Sequence, residues 1–197
     1  MAYLKKIKEK MGPVTELSVS SFIERHRYAE GYLRRLLLIG LRLNAVQYKQ
    51  AQKIIELTFL NNNALLEKVF ILLSRKKFTL KEAKLKYPDF ATSIDLFLKF
   101  TSPYRNWLVH GVIDTIHDLE LLECLCRADR QFLIEFEKLL KSEFDRSALD
   151  APGHWGALKG KKEEDLQAVI KRLKLGSVFR GTPMSIPEAK KLLKVLL

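Results

Sequence analysis

The sequence predicts an all-α protein, an antiparallel helical bundle with a short helical appendage at its C-terminal end. Two long segments carry apolar residues at spacings of three and four, the repeat of one face of an α-helix. One segment begins at Phe22 and the other at Ile116. Several segments are preceded by Ser, Thr or Asn, which commonly cap helix N-termini. No segment shows a convincing β-strand pattern.

The expected elements follow the chain in order. Ser21 and Glu24 form a capping box, which predicts the start of a long helix that ends near Leu43. Thr79 and Glu82 form a second capping box. Further helices are expected from a cap at 44–47 to about residue 59, at 64–73 after a cap at 61–63, from 79 to a stop at Pro88, at 89–100, and from about 115 to 144.

The charge balance favours a polyanionic partner. Lysine and arginine number 35 against 23 acidic residues, which gives a net charge of +12. Such a surplus suits nucleic acid before a membrane. The N-terminus lacks the apolar core of a signal peptide, and no apolar run has the length of a bilayer span. We therefore expect a cytoplasmic protein with no membrane partner.

Cysteine spacing argues against a metal site. Cys124 and Cys126 lie two residues apart, so on a helix they point to nearly opposite sides. A mutual disulfide or a shared zinc ion is therefore not expected, and the four histidines are scattered. No metal and no cofactor is predicted.

The chain divides into three expected parts. A basic N-terminal segment at 1–14 precedes the helical bundle at 15–150, and a basic helical extension follows at 151–197. Pro152 and its neighbouring glycines predict a linker. The extension holds ten cations and four acids, half of the net charge, and two short amphipathic helices are expected at 163–174 and 186–196. We expect it to help hold nucleic acid or a partner.

The chemistry is expected around Arg105. Ser102 is a suitable N-cap and Pro103 fits a first helical position, which would place Arg105 and Asn106 in a first turn that attracts anions. His110 lies four residues beyond Asn106, on the same face. Arg105 and His110 are about 140° apart around an ideal helix, so they meet only if the arginine reaches around or a second copy supplies a partner. This grouping indicates phosphodiester chemistry.

The sequence from Arg105 and Asn106 to His110 and Gly111 resembles the signature of the HEPN superfamily, an arginine followed by a polar residue and, a few residues later, a histidine. The resemblance implies a helical bundle over roughly 15–146, with the motif near the start of the last long helix. It does not extend over the C-terminal extension.

The resemblance also implies an activity. HEPN ribonucleases are metal-independent RNA endonucleases of toxin–antitoxin, phage-defence and RNA-processing systems, and they are usually dimers whose two motifs face each other. The implied reaction is attack of the ribose 2′-OH on the adjacent phosphate, which leaves a 2′,3′-cyclic phosphate and a 5′-OH. His110 would transfer the proton, Arg105 would stabilise the phosphorane, and Asn106 would orient His110 or the phosphate. RNA, a second copy of the chain and an antitoxin protein are the implied partners.

Other interpretations stay open at the level of sequence. The alternative function is a non-catalytic all-α module that binds RNA, a nucleotide or a protein. In that case His110 would be a core histidine and Arg105 a surface charge. His117 is a further pocket candidate, although a surface position is favoured for it, and His26 and His154 are given no role. The candidates for a first-helix residue that faces the motif are Glu24, Arg25 and Glu30.

Overall fold

The structure is a computed structural model that describes residues 2–57, 62–74, 78–150, 155, 164–173 and 175. All regular secondary structure in these residues is helical, which confirms the all-α class. The helices are α1 (Ala2–Lys10), α2 (Val19–Leu43), α3 (Tyr48–Leu57), α4 (Asn62–Leu73), α5 (Leu80–Lys86), α6 (Pro88–Leu96), α7 (Ser102–Val109), α8 (Leu119–Phe144) and α9 (Leu166–Leu173). Within the described residues, no helix combines the length and the apolar character that crossing a membrane requires.

α2 is the central helix, because it packs against α1, α3, α4 and α8. It packs closely on α4 at Gly40, where a Cβ atom would lie 2.7 Å from the Cβ of Leu72. Buried aromatic rings fill the space beside α8. Phe97 and Phe132 stack with ring centroids 4.1 Å apart, and Phe136 meets Phe132 edge-on at 5.6 Å. The aromatic part of the core therefore lies between the C-terminal end of α6 and α8.

Several helix starts differ from the expected positions. α2 begins at Val19, because the N-cap is Ser18, three residues before the expected Ser21, and the Ser18 hydroxyl accepts from the Ser21 N–H at 3.1 Å. α8 begins after residue 115, because Asp118 caps it by accepting from the first-turn N–H groups. Asn44 caps the C-terminal end of α2 rather than the start of α3, since its amide donates to the Gly40 carbonyl at 2.7 Å. In each case more than one nearby polar residue fits a cap, and packing selects between them.

Other local predictions are confirmed. The capping box of Thr79 and Glu82 is present at the start of α5, and both of its hydrogen bonds form. α5 ends before Pro88, which occupies the first position of α6. These elements depend on contacts within one turn, so the local sequence is sufficient to predict them.

The expected N-cap at Ser102 is wrong. Ser102 has helical backbone angles (φ −62°, ψ −42°), and a π-helical turn at Phe97–Thr101 joins α6 to α7 without a break. The Ser102 N–H donates to the Phe97 carbonyl, five residues back, directly before Pro103. A proline in a helix interior removes a hydrogen bond and clashes with the carbonyl four residues back, and a widened turn accommodates both effects.

This continuity changes the setting of the motif. Arg105 and Asn106 lie near the C-terminal end of a segment that runs from Pro88 to Val109, so the free N–H groups of a helix start are not available to them. The last long helix, α8, begins only at Leu119, so the motif does not lie at its start.

Parts of the two terminal regions pack on the bundle. Ile7 of α1 is fully buried against the main core. Trp155 is 6% exposed, and its indole N–H donates to the Ser147 carbonyl at 2.9 Å. α9 buries Val169 and Leu173 in the same core. The helix expected at 186–196 lies outside the described residues, and the division into three parts stays a prediction.

Candidate functional site

The side chain of Arg105 lines a cleft of about 640 Å³ between α2, the start of α4 and α7. Polar side chains dominate its wall, and they include Glu30, Arg34, Asn62, Ser102 and Asn106. Arg34 and Arg105 outnumber the carboxylate of Glu30 among the described lining residues, which gives the cleft a positive balance.

Two neighbours hold the Arg105 guanidinium. Its Nη1 donates to the amide oxygen of Asn106 at 2.9 Å, and its Nη2 lies 3.4 Å from Oε2 of Glu30. Of the three candidates on α2, Glu30 is therefore the residue that faces the motif. The other two candidates are engaged elsewhere, because Glu24 pairs with the Lys10 side chain and Arg25 donates to the carbonyl of the same residue.

A buried histidine lies behind this pair. The His26 side chain is fully buried, and its Nδ1 is 3.0 and 3.1 Å from the two carboxylate oxygens of Asp129 on α8. On the other side of the ring, Nε2 is 3.7 Å from Oε1 of Glu30 and 3.4 Å from the Ser102 hydroxyl. The imidazole also stacks on Phe97, with ring centroids 4.9 Å apart.

The two carboxylates set the charge of this histidine. Burial lowers the pKa of His26, but the charge and hydrogen bond of Asp129, together with Glu30, outweigh burial and raise that pKa to about 9. Burial raises the pKa of Glu30, whereas the hydrogen bond and charge of His26, followed by the charge of Arg105, bring it below its usual value. At neutral pH, Glu30 is thus a carboxylate held between two cations.

Asn62 ties α4 to the same network. As the first residue of α4, it donates from its side-chain amide to Oε1 of Glu30 at 3.3 Å and to the Ser102 hydroxyl at 3.0 Å. Three elements, α2, α4 and α7, therefore meet at Glu30, and they fix one wall of the cleft.

His110 is placed differently from Arg105. It is the exposed C-cap of α7, and its backbone N–H donates to the Asn106 carbonyl at 2.9 Å. Its imidazole makes no hydrogen bond to any described residue. The structure thus brings Arg105 and Asn106 together, and the Asn106 amide oxygen binds the arginine rather than the histidine. The interpretation of His110 as a core histidine is excluded by its exposure.

The other histidines have varied positions. His117 is exposed, as favoured from the sequence, and His154 lies outside the described residues. His26 and Asp129 were missed as site residues. A signal for them does exist: each is a charged or titratable residue within an apolar helical stripe, and His26 precedes Glu30 by one turn.

Large apolar side chains are exposed around His110. This apolar patch comprises Trp107 (42% exposed), Val109 (49%), Val112 (67%) and Leu119 (61%). Trp107, Val109 and Val112 lie within three residues of His110 in the sequence, and exposed apolar side chains that group together on a folded protein commonly mark an interaction site. The motif histidine therefore lies within a surface suited to a protein contact.

Comparison of the chain with models of known families, with curated proteins and with solved structures found no match. The likeness to the HEPN signature thus rests on the motif residues themselves, and the roles of Arg105, Asn106 and His110 stay predictions.

Proposed function

We propose that the protein is a metal-independent RNA endonuclease of HEPN type, in which Arg105 and His110 act on the phosphodiester and Asn106 positions the arginine. One observation carries this proposal: Glu30 and Asn106 hold Arg105 at the wall of a polar cleft, and His110 is exposed at the end of the same helix. A fixed guanidinium in a cleft suits a phosphate, and an exposed imidazole suits proton transfer.

The reaction is a transesterification within the RNA strand. The ribose 2′-oxygen forms a bond to phosphorus while the bond from phosphorus to the 5′-oxygen breaks, which leaves a 2′,3′-cyclic phosphate and a 5′-OH. A base accepts the 2′-OH proton, and an acid donates a proton to the leaving 5′-oxygen. Imidazole changes charge near neutral pH and suits either transfer. Arg105 stabilises the charge that develops on the phosphorane oxygens.

The active form is proposed to be a two-fold homodimer. The reaction takes up one proton and delivers another, whereas the motif of one chain supplies one histidine. A second copy docked on the apolar patch would bring a second His110 to the site. It would also remove Val112 and Leu119 from water, which stabilises association.

The cellular role that fits this activity is the toxin or effector of a toxin–antitoxin or phage-defence system, with an antitoxin protein as a partner. Expression of the chain alone is then expected to arrest growth, and the His110→Ala variant is expected to relieve the arrest.

Cleavage of purified RNA tests the chemistry. His110→Ala and Arg105→Ala should each lower the rate on the order of 10²–10⁴-fold, because a positioned acid–base or charge-stabilising group is lost. His117→Ala is the matched control, since it removes another exposed histidine and should leave the rate unchanged. Activity should persist in EDTA, and a 2′-deoxy sugar at the cut site should block cleavage. Equal rates for wild type and His110→Ala, prepared identically, would refute the proposal.

Light scattering tests the assembly. Val112→Asp places a charge in the apolar patch and should convert a dimer to a monomer with reduced cleavage. An active wild-type monomer at the assay concentration would rule out a composite site.

A non-catalytic RNA-, nucleotide- or protein-binding module is the second candidate. The observation that favours it is the neutralisation of Arg105 by Glu30, which gives the arginine a structural role within the wall. Binding of RNA without cleavage, and without growth arrest, would support this candidate.

A further inference from the structure

Arg34 is shared by two clefts. It lies on α2 one turn beyond Glu30, is exposed, and lines both the cleft of Arg105 and a second cleft of about 330 Å³. Within the described residues its guanidinium has no ion pair and no hydrogen bond. Its neighbour Arg35, by contrast, donates to the carbonyls of Ala148 and Asp150.

The two clefts differ in character. The first is polar, and it contains Arg105 and several side-chain amides. The second has a mainly apolar wall at Tyr3, Leu38 and Ile55, and Tyr3 is 45% exposed. Arg35, Gln52 and Glu56 line the same cleft beside these apolar side chains. Both volumes fall within the range of ligand sites, roughly 300–1,000 Å³. Arg34, which has no partner among the described residues, thus separates a polar site from a mainly apolar, aromatic one.

This alternation matches the repeating unit of a single-stranded nucleic acid, in which each charged phosphate is followed by a flat apolar base. Proteins hold such strands with cations along the backbone and aromatic rings under the bases. A duplex hides its bases in the stack and cannot place one in a side cleft. A mononucleotide would occupy only one of the two clefts.

We propose that the two clefts form one groove for single-stranded RNA, in which Arg34 binds a backbone phosphate and the second cleft takes the adjacent base against Tyr3. The inference rests on the proposed RNA substrate and adds a subsite beside the reacting phosphate. The exposed carboxylate of Glu56, at the rim of the second cleft, is placed to accept a hydrogen bond from an exocyclic amine of that base.

Binding of a short 2′-O-methyl oligoribonucleotide, measured by fluorescence anisotropy at several salt concentrations, tests this groove. The probe cannot be cleaved, so the measurement does not depend on catalysis. Arg34→Gln should weaken binding on the order of 10-fold and reduce the slope of log affinity against log salt by about 0.7, the contribution of one phosphate contact to a single strand. Tyr3→Leu should weaken binding on the order of 10-fold without a change in slope, and Tyr3→Phe should bind as wild type.

Arg127→Gln is the matched control, because it removes the same charge from a residue that lines neither cleft and pairs with Glu123. Its affinity should stay within about two-fold of wild type. The thermal unfolding of Arg34→Gln should match wild type, since the guanidinium makes no internal bond to the described residues.

The outcomes separate this inference from the proposed function. Equal losses for Arg34→Gln and Arg127→Gln, equally tight binding of a duplex of the same length, or failure of wild type to bind the probe would overturn the groove. Groove-dependent binding combined with failure to cleave unmodified RNA would uphold the groove and refute the endonuclease.

Discussion

At the scale of single residues, the site depends on a row of alternating charges that runs from the core to the surface. Asp129, His26, Glu30 and Arg105 follow one another, each within 3.0–3.7 Å of the next. An isolated buried charge is costly, so each member requires its neighbours. The row links α8, α2 and α7, and it ends at the cleft.

The buried histidine predicts a loss of stability at alkaline pH. The pKa of His26 is about 9 in the folded chain against an ordinary value of 6.5. Its contribution is therefore complete below about pH 6.5 and is lost as the pH rises through about 9. This pKa shift corresponds to a contribution on the order of 3 kcal/mol to the free energy of unfolding. Urea unfolding measured from pH 6 to 10 should show this decline.

Asp129→Asn provides the comparison for that measurement. It removes the largest contribution to the raised pKa of His26, the charge of Asp129, while keeping a similar side-chain shape. The loss of stability between pH 6.5 and 9 should therefore become much smaller. The variant should also lose about 3–5 kcal/mol at neutral pH, because a buried charge pair is broken. An unchanged pH profile in Asp129→Asn would contradict the assignment.

Replacement of Glu30 should separate binding from turnover. Glu30→Gln removes the carboxylate from the described wall of the cleft, so phosphate attraction should rise and KM for the proposed RNA substrate should fall. Arg105 loses its ion pair at the same time, so kcat should fall as well. Steady-state cleavage kinetics check both parameters, with Glu24→Gln as the control that leaves them unchanged. Parallel increases in KM and kcat would show that Glu30 does not position the arginine.

At the scale of elements, the position of His110 depends on how α7 ends. Gly111 adopts a left-handed conformation (φ 68°), and its N–H donates to the Leu108 carbonyl while the Val112 N–H donates to Trp107 at 2.8 Å. This pair of hydrogen bonds is a Schellman motif. It stops the helix at His110 and turns the chain toward α8.

Substitution of Gly111 tests this terminus. No atom lies within 4 Å of a Cβ built there, so the expected penalty comes from the backbone alone. Gly111→Val should destabilise the fold by about 1–2 kcal/mol and lower cleavage, because a β-branched residue disfavours positive φ. Gly111→Asn should retain most of the stability and most of the cleavage rate, since asparagine tolerates this conformation. Thermal unfolding and the cleavage rate report the two effects, and equal behaviour of the two variants would argue against the motif.

At the scale of the whole molecule, part of the basic extension belongs to the core. Trp155 and α9 contribute buried apolar side chains to the cluster that α2 and α8 also build. Truncation after residue 150 would therefore expose apolar core surface as well as remove charge. A loss of RNA affinity on truncation would not distinguish the two causes.

Trp155→Ala should lower the free energy of unfolding by about 3 kcal/mol, because it leaves a cavity and removes the hydrogen bond to Ser147. Trp155→Phe should cost less, since it retains most of the apolar volume. Denaturant unfolding measures both, and the RNA affinity of the folded variants should match wild type. A Trp155→Ala variant as stable as wild type would show that Trp155 does not stabilise the core.

The sequence by itself determined the features that depend on neighbours within about one turn. Periodic apolar residues specified the helices, and the capping box of Thr79 and Glu82 formed as expected, because these interactions join residues three or four positions apart. The sequence also singled out Arg105 and Asn106, which share a hydrogen bond.

Only the tertiary structure decided what the folded chain brings together. His26 and Asp129 are 103 residues apart in sequence, and the choice of Glu30 over Glu24 depends on which side of α2 meets α7. Pro103 predicted the start of a new helix. In the structure, a π-helical turn that packs against α8 joins α6 to α7 directly before this proline. Local sequence patterns do not predict these contacts, because burial and charge pairing across helices arise only when distant segments pack.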